Sequence, residues 1–357
     1  MIPYGRHSID DADIEAVVRV LRGDWLTQGP HVAEFENALA AKVGARYAVA
    51  FANGTAALHG ACAAARLGPG DIVGTSPLSF VASANCARYV GASVRFVDID
   101  PATLNLKVAA VPDGLDGLVA VHYAGLPLDL GALPQRPRVV IEDGCHALGA
   151  STPDGPVGNC ARSDMCVFSF HPVKAITTGE GGAVTTNDGA LADALRTFRN
   201  HGIVRNPDDG AWRYDVVSHG LNYRLTDIQA VLGTSQLGKL DNFITRRQAI
   251  AARYRELLGG LPVELPPDAP AGFSHAYHLF VVRVLDRRHV YDELRANGVG
   301  AQVHYVPIYR HPHFGALDGD GWPQTEALYD GLVSLPIYPA LTEAEQDHVV
   351  TALKRTL

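Results

Sequence analysis

Lys174 stands in the run "CVFSFHPVKAITTGEGGAVTTND", Cys166–Asp188, as the only charge between Asp164 and Glu180 apart from a titratable His171. The apolar stretch before it, Met165–Phe170, reads as a buried strand. Thr177, Thr178 and three glycines follow, small enough for a tight turn or a close approach to a ligand. A lysine in dry surroundings loses part of its preference for the protonated state, and the freed amine is a nucleophile toward carbonyl carbon. The plainer alternative is a lysine that reaches solvent past the strand end.

Two further junctions carry residues of matching chemistry. In "FANGTAALHG", Asn53, Gly54 and Thr55 join a strand to an alanine-rich helix. Free N–H groups at that helix start, the helix dipole and the Thr55 hydroxyl together suit a phosphate; an ordinary N-cap is the alternative. In "VVIEDGCHALGA", Asp143 ends an apolar strand, with Glu142 beside it on the opposite face. A carboxylate emerging there needs a cation or several donors, unless it only caps a helix. A phosphate cradle, a buried carboxylate and a nucleophilic amine together suit pyridoxal 5′-phosphate. The carboxylate would keep the ring nitrogen protonated and the amine would hold the aldehyde.

The elements that must position these residues alternate. The periodicity predicts helices over Ser8–Leu21, capped by Ser8, and over "HVAEFENALAAKVG". Strands follow at "ARYAVAFA", "DIVGTSP", "SVRFVDID", "GLVAVHYAG", "PRVVIEDG", "DMCVFSF" and "GGAVTTND". Helices fall at "GTAALHGACAAARLG", ending at Gly68, at "SFVASANCARYVG" and at "ALADALRTFRNHG". Short β-branched strands between helices imply an α/β fold with a mostly parallel sheet covered on both faces, and ligands bind at its strand ends. Ile203–Gly220 reads as a long surface loop. A long helix with breaks, roughly Thr226–Leu257, then leads to a second unit with a strand at "AYHLFVVRVL", a helix at "RHVYDELRANG", an extended "GAQVHYVPI" and a closing helix at "TEAEQDHVVTALKRTL".

The chain has 357 residues and a formal net charge of −8, with no Lys/Arg cluster to offset it. That length favours two domains, and that charge disfavours general attraction to nucleic acid or an anionic membrane. No segment is long and apolar enough to span a bilayer. The five cysteines form no CxxC pair, so no metal site is expected and a reducing cytoplasm is.

The segments "WLTQGPHVAEFE", "NGTAALHGA", "SFVASANC", "IEDGCHALGA", "FSFHPVKAITTGEGGAV", "GLNYRLTDIQAVLG", "GAQVHYVPIY" and "LPIYP" resemble, nearly end to end, the DegT/DnrJ/EryC1/StrS aminotransferases. Those enzymes aminate nucleotide-linked keto-sugars with pyridoxal phosphate. The resemblance implies fold type I, like aspartate aminotransferase. A large domain over residues 1–245, built on a mostly parallel seven-stranded sheet, would be followed by a smaller α/β domain over 246–357.

It implies Lys174 as the covalent cofactor site and proton carrier, and Asp143 as partner of the ring nitrogen. Gly54, Thr55 and Ser169 would contact the phosphate, with His146 beside the ring and Phe80 stacked on it. Asn222 would reach the phosphate of a neighbouring subunit, making a homodimer. Tyr4, His304, Tyr305 and the loop around Thr27–Gly29 would meet the sugar nucleotide. Arg224 is assigned either the donor carboxylate or an interface ion pair.

Family members with histidine in place of this lysine are dehydratases, so Lys174 argues for transamination. Within the family the text is most similar to the pseudaminic-acid-pathway C-4 aminotransferases. The implied reaction takes UDP-2-acetamido-2,6-dideoxy-β-L-arabino-hexos-4-ulose to its 4-amino sugar, with L-glutamate as donor; another UDP- or GDP-4-keto-6-deoxy sugar is the alternative. A non-catalytic cofactor-binding sensor would call for a DNA-binding module, and no basic or helix-turn-helix segment precedes Tyr4.

Overall fold

The computed structural model describes residues 1–206, 210, 212–315, 319 and 321–357. Seven strands form the central sheet: β1 Tyr47–Phe51, β2 Ile72–Thr75, β3 Ser93–Phe96, β4 Gly117–Val121, β5 Val139–Asp143, β6 Met165–Ser169 and β7 Gly182–Thr186. Their order is β1-β7-β6-β5-β4-β2-β3, and every pairing is parallel except those of β7, which runs against both neighbours.

Alternate side chains of these strands enter two different cores, as a pleated sheet covered on both faces requires. Ala48, Ala50, Cys166 and Phe168 pack with Phe35, Leu39 and Val43 of helix α1, Pro30–Val43. Val49, Phe51, Met165 and Val167 pack on the other face. Their partners there are α2 (Gly54–Ala64), α3 (Ala82–Tyr89) and α4 (Gly189–Phe198), through Ala57, Leu58, Cys86 and Leu195.

The long helix expected from Thr226 is two helices, α5 Asp227–Leu237 and α6 Leu240–Leu258, broken at Gly238–Lys239. Helix α6 changes allegiance along its length. Leu240 and Ile244 join the core that contains Phe168, whereas Ile250, Ala251, Tyr254 and Leu258 join a separate core. That second core holds the antiparallel pair β8 Phe280–Arg283 and β9 Leu332–Leu335, with α7 Arg287–Ala296 and α8 Glu343–Lys354. We propose the domain division within α6, at residues 245–246. The N-terminus crosses that division, because Ile2–Pro3 pairs in parallel with Val299–Gly300.

Several sequence-based boundaries shift. The first helix is Asp11–Leu21 and is capped by Asp10, not Ser8. Asp10 and Asp13 exchange backbone and side-chain bonds in a capping box, while the Ser8 carbonyl accepts from Gln236. Helix α2 stops at Ala64 rather than Gly68, since Arg66 turns to φ +55°. The loop expected over Ile203–Gly220 contains a short antiparallel pair, Ile203–Val204 with Asp215–Val216; residues 207–209 and 211 of it lie outside the described residues. Strand β9 and the helix Pro323–Tyr329 were not foreseen.

Candidate active site

Four sheet strands end at one cavity of about 610 Å³, β4 among them at Val121. Ser169 closes β6 there and Asp143 closes β5; the turn beyond β1 starts α2 with Asn53, Gly54 and Thr55. Lys174 enters from the loop after β6, and Phe80 from the segment that precedes α3. Tyr4, His304 and Tyr305 arrive from the N-terminus and the second unit. Parallel strands point their carboxyl ends the same way, which is why residues far apart in sequence share one opening.

At the helix start, the Asn53 side chain accepts from Ala56 N–H at 2.8 Å and its carbonyl accepts from Ala57. The first-turn N–H groups of Gly54 and Thr55 have no intrahelical acceptor to use, because the chain before them is not helical. A Cβ on Gly54 would come within 2.8 Å of Ser169 Cβ, so the bare backbone is what lets the Ser169 hydroxyl and the helix start share one anion site.

Asp143 is 6% exposed. Ser83 donates its hydroxyl to Asp143 Oδ2 at 2.7 Å, and the Cys145 N–H donates to Oδ1 at 3.2 Å. Among the described residues no cation lies within ion-pairing distance of it, so the carboxylate keeps capacity for a positive partner that the chain does not supply. Glu142, on the other face, meets His122 Nε2 at 2.7 Å and accepts from the Ser163 hydroxyl at 2.5 Å.

Lys174 borders the cavity and is half-buried. Burial lowers the pKa of its amine, and the neighbouring Cys145 and Asp143 act in the opposite direction. His146 accepts or donates at Nε2 with the Tyr305 hydroxyl, 3.2 Å away, and is held well below the usual histidine range by burial, then by Lys174 and His304. His304 contacts Ser334 Oγ through Nδ1 at 2.8 Å, and burial pushes its pKa down to about 4. Phe80 is 54% exposed, so its ring is free to cover whatever fills the cavity.

Arg224 and the Thr27–Gly29 loop lie outside this cavity, as does Asn222, which was expected to serve a neighbouring subunit. Asn222 is exposed and bridged to Asn200, outside this cavity, although Tyr223 beside it lines the wall. Arg224 donates to Asn200 Oδ1 at 2.8 Å and lines a second cavity of about 600 Å³ with Gln28 and Gly29. Residues the sequence did not single out also border the site or hold its members: Ser83, Cys145, Tyr223 and His278. Ser83 sits in a segment quoted for the resemblance, "SFVASANC"; nothing in the sequence marks His278.

A model of the DegT/DnrJ/EryC1/StrS aminotransferase family matches residues 7–354. The chain belongs to that family. SpsC, a spore coat polysaccharide biosynthesis protein of Bacillus subtilis, is 35% identical over 99% of this chain and 96% of its own length. Among solved structures, Spr1654 of Streptococcus pneumoniae, named as a candidate sugar aminotransferase and solved in its PMP form, is 26% identical. It has a TM-score of 0.93 and covers 100% of this chain and 99% of its own. PseC of Helicobacter pylori, an aminotransferase involved in pseudoaminic acid biosynthesis, is 29% identical, with a TM-score of 0.91 over 99% of this chain and 98% of its own. This family member is therefore a sugar aminotransferase that depends on pyridoxal phosphate and acts on a sugar substrate with an amino donor. The cavity fits that cofactor: a helix start with free N–H groups, a carboxylate lacking a cation and an amine whose pKa burial lowers line one space.

Proposed function

We propose that this enzyme forms a 4-amino sugar from a nucleotide-linked 4-keto-6-deoxy sugar, with L-glutamate as donor. The acceptor we favour is UDP-2-acetamido-2,6-dideoxy-β-L-arabino-hexos-4-ulose, giving UDP-4-amino-4,6-dideoxy-N-acetyl-β-L-altrosamine in pseudaminic acid biosynthesis. The observation that carries the reading is the convergence of Lys174, Asp143 and the Gly54–Thr55 helix start on one cavity. The 29% identity with PseC along nearly the whole chain supports the choice of acceptor.

When bound, the cofactor supplies an electron sink that acidifies the donor Cα–H. In our reading Lys174 holds the cofactor at rest and, once displaced, carries the proton away from donor Cα. In the second half-reaction it returns a proton to sugar C4 on one face. Asp143 keeps a proton on the ring nitrogen; Gly54, Thr55 and Ser169 bind the phosphate; His146 and Phe80 flank the ring. Tyr4, His304 and Tyr305 meet the sugar nucleotide, and Arg224 takes the donor carboxylate or an interface ion pair.

We assign a homodimer in which Asn222 reaches the neighbouring subunit's phosphate. Exposed Trp212, Tyr214, Val216, Val217 and Leu221, close in sequence to Asn222, leave apolar side chains that a partner would cover, which supports this. The free thiols of all five cysteines are in keeping with our assignment of a reducing cytoplasm.

The test is a screen of the cofactor-loaded enzyme with glutamate and a panel of UDP- and GDP-4-keto-6-deoxy sugars. Amination of the UDP-linked L-arabino ketone is expected, with 2-oxoglutarate as co-product. Turnover of a different ketone alone would redirect the acceptor, a result that the relation to SpsC makes worth including in the panel. Consumption of glutamate with no acceptor aminated would reject the sugar assignment.

A further inference from the structure

His146 and His278 form a pair that the transamination reading leaves unexplained. Their ring centroids lie 4.2 Å apart, with 39° between planes. Both residues are buried, and Nδ1 of each has no hydrogen-bond partner among the described residues. Two imidazoles this close, with no carboxylate bonded to either, cannot both hold a proton at low cost.

The placement of His278 is built from two sides. After β4, the Ala124 and Gly125 carbonyls accept from Leu279 N–H at 3.2 Å and Ala276 N–H at 3.0 Å. Gly125 has φ +99°. A Cβ there would come within 2.7 Å of the His146 carbonyl oxygen and 3.1 Å of His278 N, so glycine is what lets the two backbones draw together. On the far side, the buried Arg247 guanidinium of α6 donates through Nη1 to the Tyr277 carbonyl at 3.2 Å and the Ile337 carbonyl at 2.9 Å.

We infer that His278 is a positioning residue for the transamination: packed on His146, it keeps water off the Nδ1 edge of that ring and so holds His146 uncharged, with Nε2 facing the Tyr305 hydroxyl. The Tyr305 phenol, its pKa raised well above the usual tyrosine range by burial, keeps its proton 3.2 Å from Nε2. The charged and titratable groups acting on the pair are Lys174, His304 and Arg247, with the Tyr305 hydroxyl bonded to His146; Asp143 and Cys145 act in turn on Tyr305. Lys174, His304 and Arg247 oppose any further positive charge, and Asp143 is engaged by Ser83 and the Cys145 N–H. The inference rests on reading the cavity as the cofactor site.

Histidine ring ¹⁵N–¹H NMR of the full chain, without and with pyridoxal phosphate, tests it across about pH 5–8. In the unaltered protein His146 is expected to stay untitrated. In His278→Ala it should titrate near the ordinary histidine value of about 6.5, and the acid limb of the kcat/KM profile for glutamate should rise into that range. His278→Phe, which keeps water out without a ring nitrogen, should restore both behaviours. If His278→Ala does not fold by circular dichroism, His278→Gln is read in its place. An untitrated His146 in the Ala or Gln variant overturns the inference, as does an equal shift in Ala and Phe variants. Failure to form a borohydride-stable link at Lys174 would instead remove the cofactor reading, which the cofactor-free ring titration does not depend on.

Discussion

Lys174 and Asp143 meet opposite electrostatic problems in one cavity. Burial drives the lysine toward its neutral, nucleophilic form, and it leaves the carboxylate short of a cation. Lys174→Ala is therefore expected to lower turnover by roughly 10²–10⁴-fold, the usual range for loss of a positioned acid–base group. It should also abolish borohydride trapping of the cofactor on the chain; unchanged trapping would rule the lysine out. Asp143→Asn removes the charge but keeps a shape that Ser83 and Cys145 can still bond. Loss of a charge-assisted bond costs about 1.5–3 kcal/mol, or roughly ten- to a hundred-fold in cofactor affinity by equilibrium dialysis. Retained affinity would show that the ring nitrogen is not the missing partner.

Helix termini carry much of the local design. Thr226 opens α5 with a reciprocal box: its hydroxyl accepts from Gln229 N–H at 3.2 Å and its N–H donates to Gln229 Oε1 at 3.1 Å. Thr226→Ala should cost about 1 kcal/mol, seen as an earlier chemical-denaturation midpoint with cofactor absorbance unchanged. At the start of α2 a different result is expected. Gly54→Ala pushes a methyl toward Ser169, so cofactor retention should fall while the far-ultraviolet spectrum stays native. A Gly54→Ala chain that keeps the cofactor as tightly would argue against the anion site. The strands and helices around the sheet were legible, the strands as short apolar runs buried on both faces and the helices as apolar stripes. Strand β9 was not, because "LVSL" carries too few residues to set a period and is held by its pairing with β8.

Across the whole molecule, buried histidines set a pH response. His304 and His275 have folded-state values pushed down to about 4 and about 3 by burial, against 6.5 for the ordinary side chain. Above pH 6.5 both states are neutral and nothing is lost. As pH falls below 6.5 the unfolded chain takes up protons that the folded chain refuses, and stability drops by about 1.4 kcal/mol per pH unit for each group. For His304 the loss levels off near pH 4 and for His275 near pH 3. His275→Gln should therefore flatten the stability curve between pH 6.5 and 5, where most carboxylates have yet to titrate; an unchanged slope would refute the assignment. At the level of assembly, a mixture of Lys174→Ala and Asn222→Ala chains should regain activity through mixed dimers. One site of each such dimer has both residues intact if Asn222 serves the neighbour. No recovery would place Asn222 outside the partner's site.

The sequence alone determined the strand-and-helix alternation and the identity of Lys174, Asp143 and the Asn53–Thr55 junction, since polar groups at the ends of apolar runs betray themselves locally. It also carried enough family text to name the chemistry. Tertiary structure decided what long-range contact controls. Ser83 was brought under Asp143, Arg224 was put in a second cavity, α6 was divided between two cores, and His278 was laid on His146. Those outcomes depend on backbone approach and side-chain packing between segments distant in sequence, which leave no periodic trace in the residues themselves.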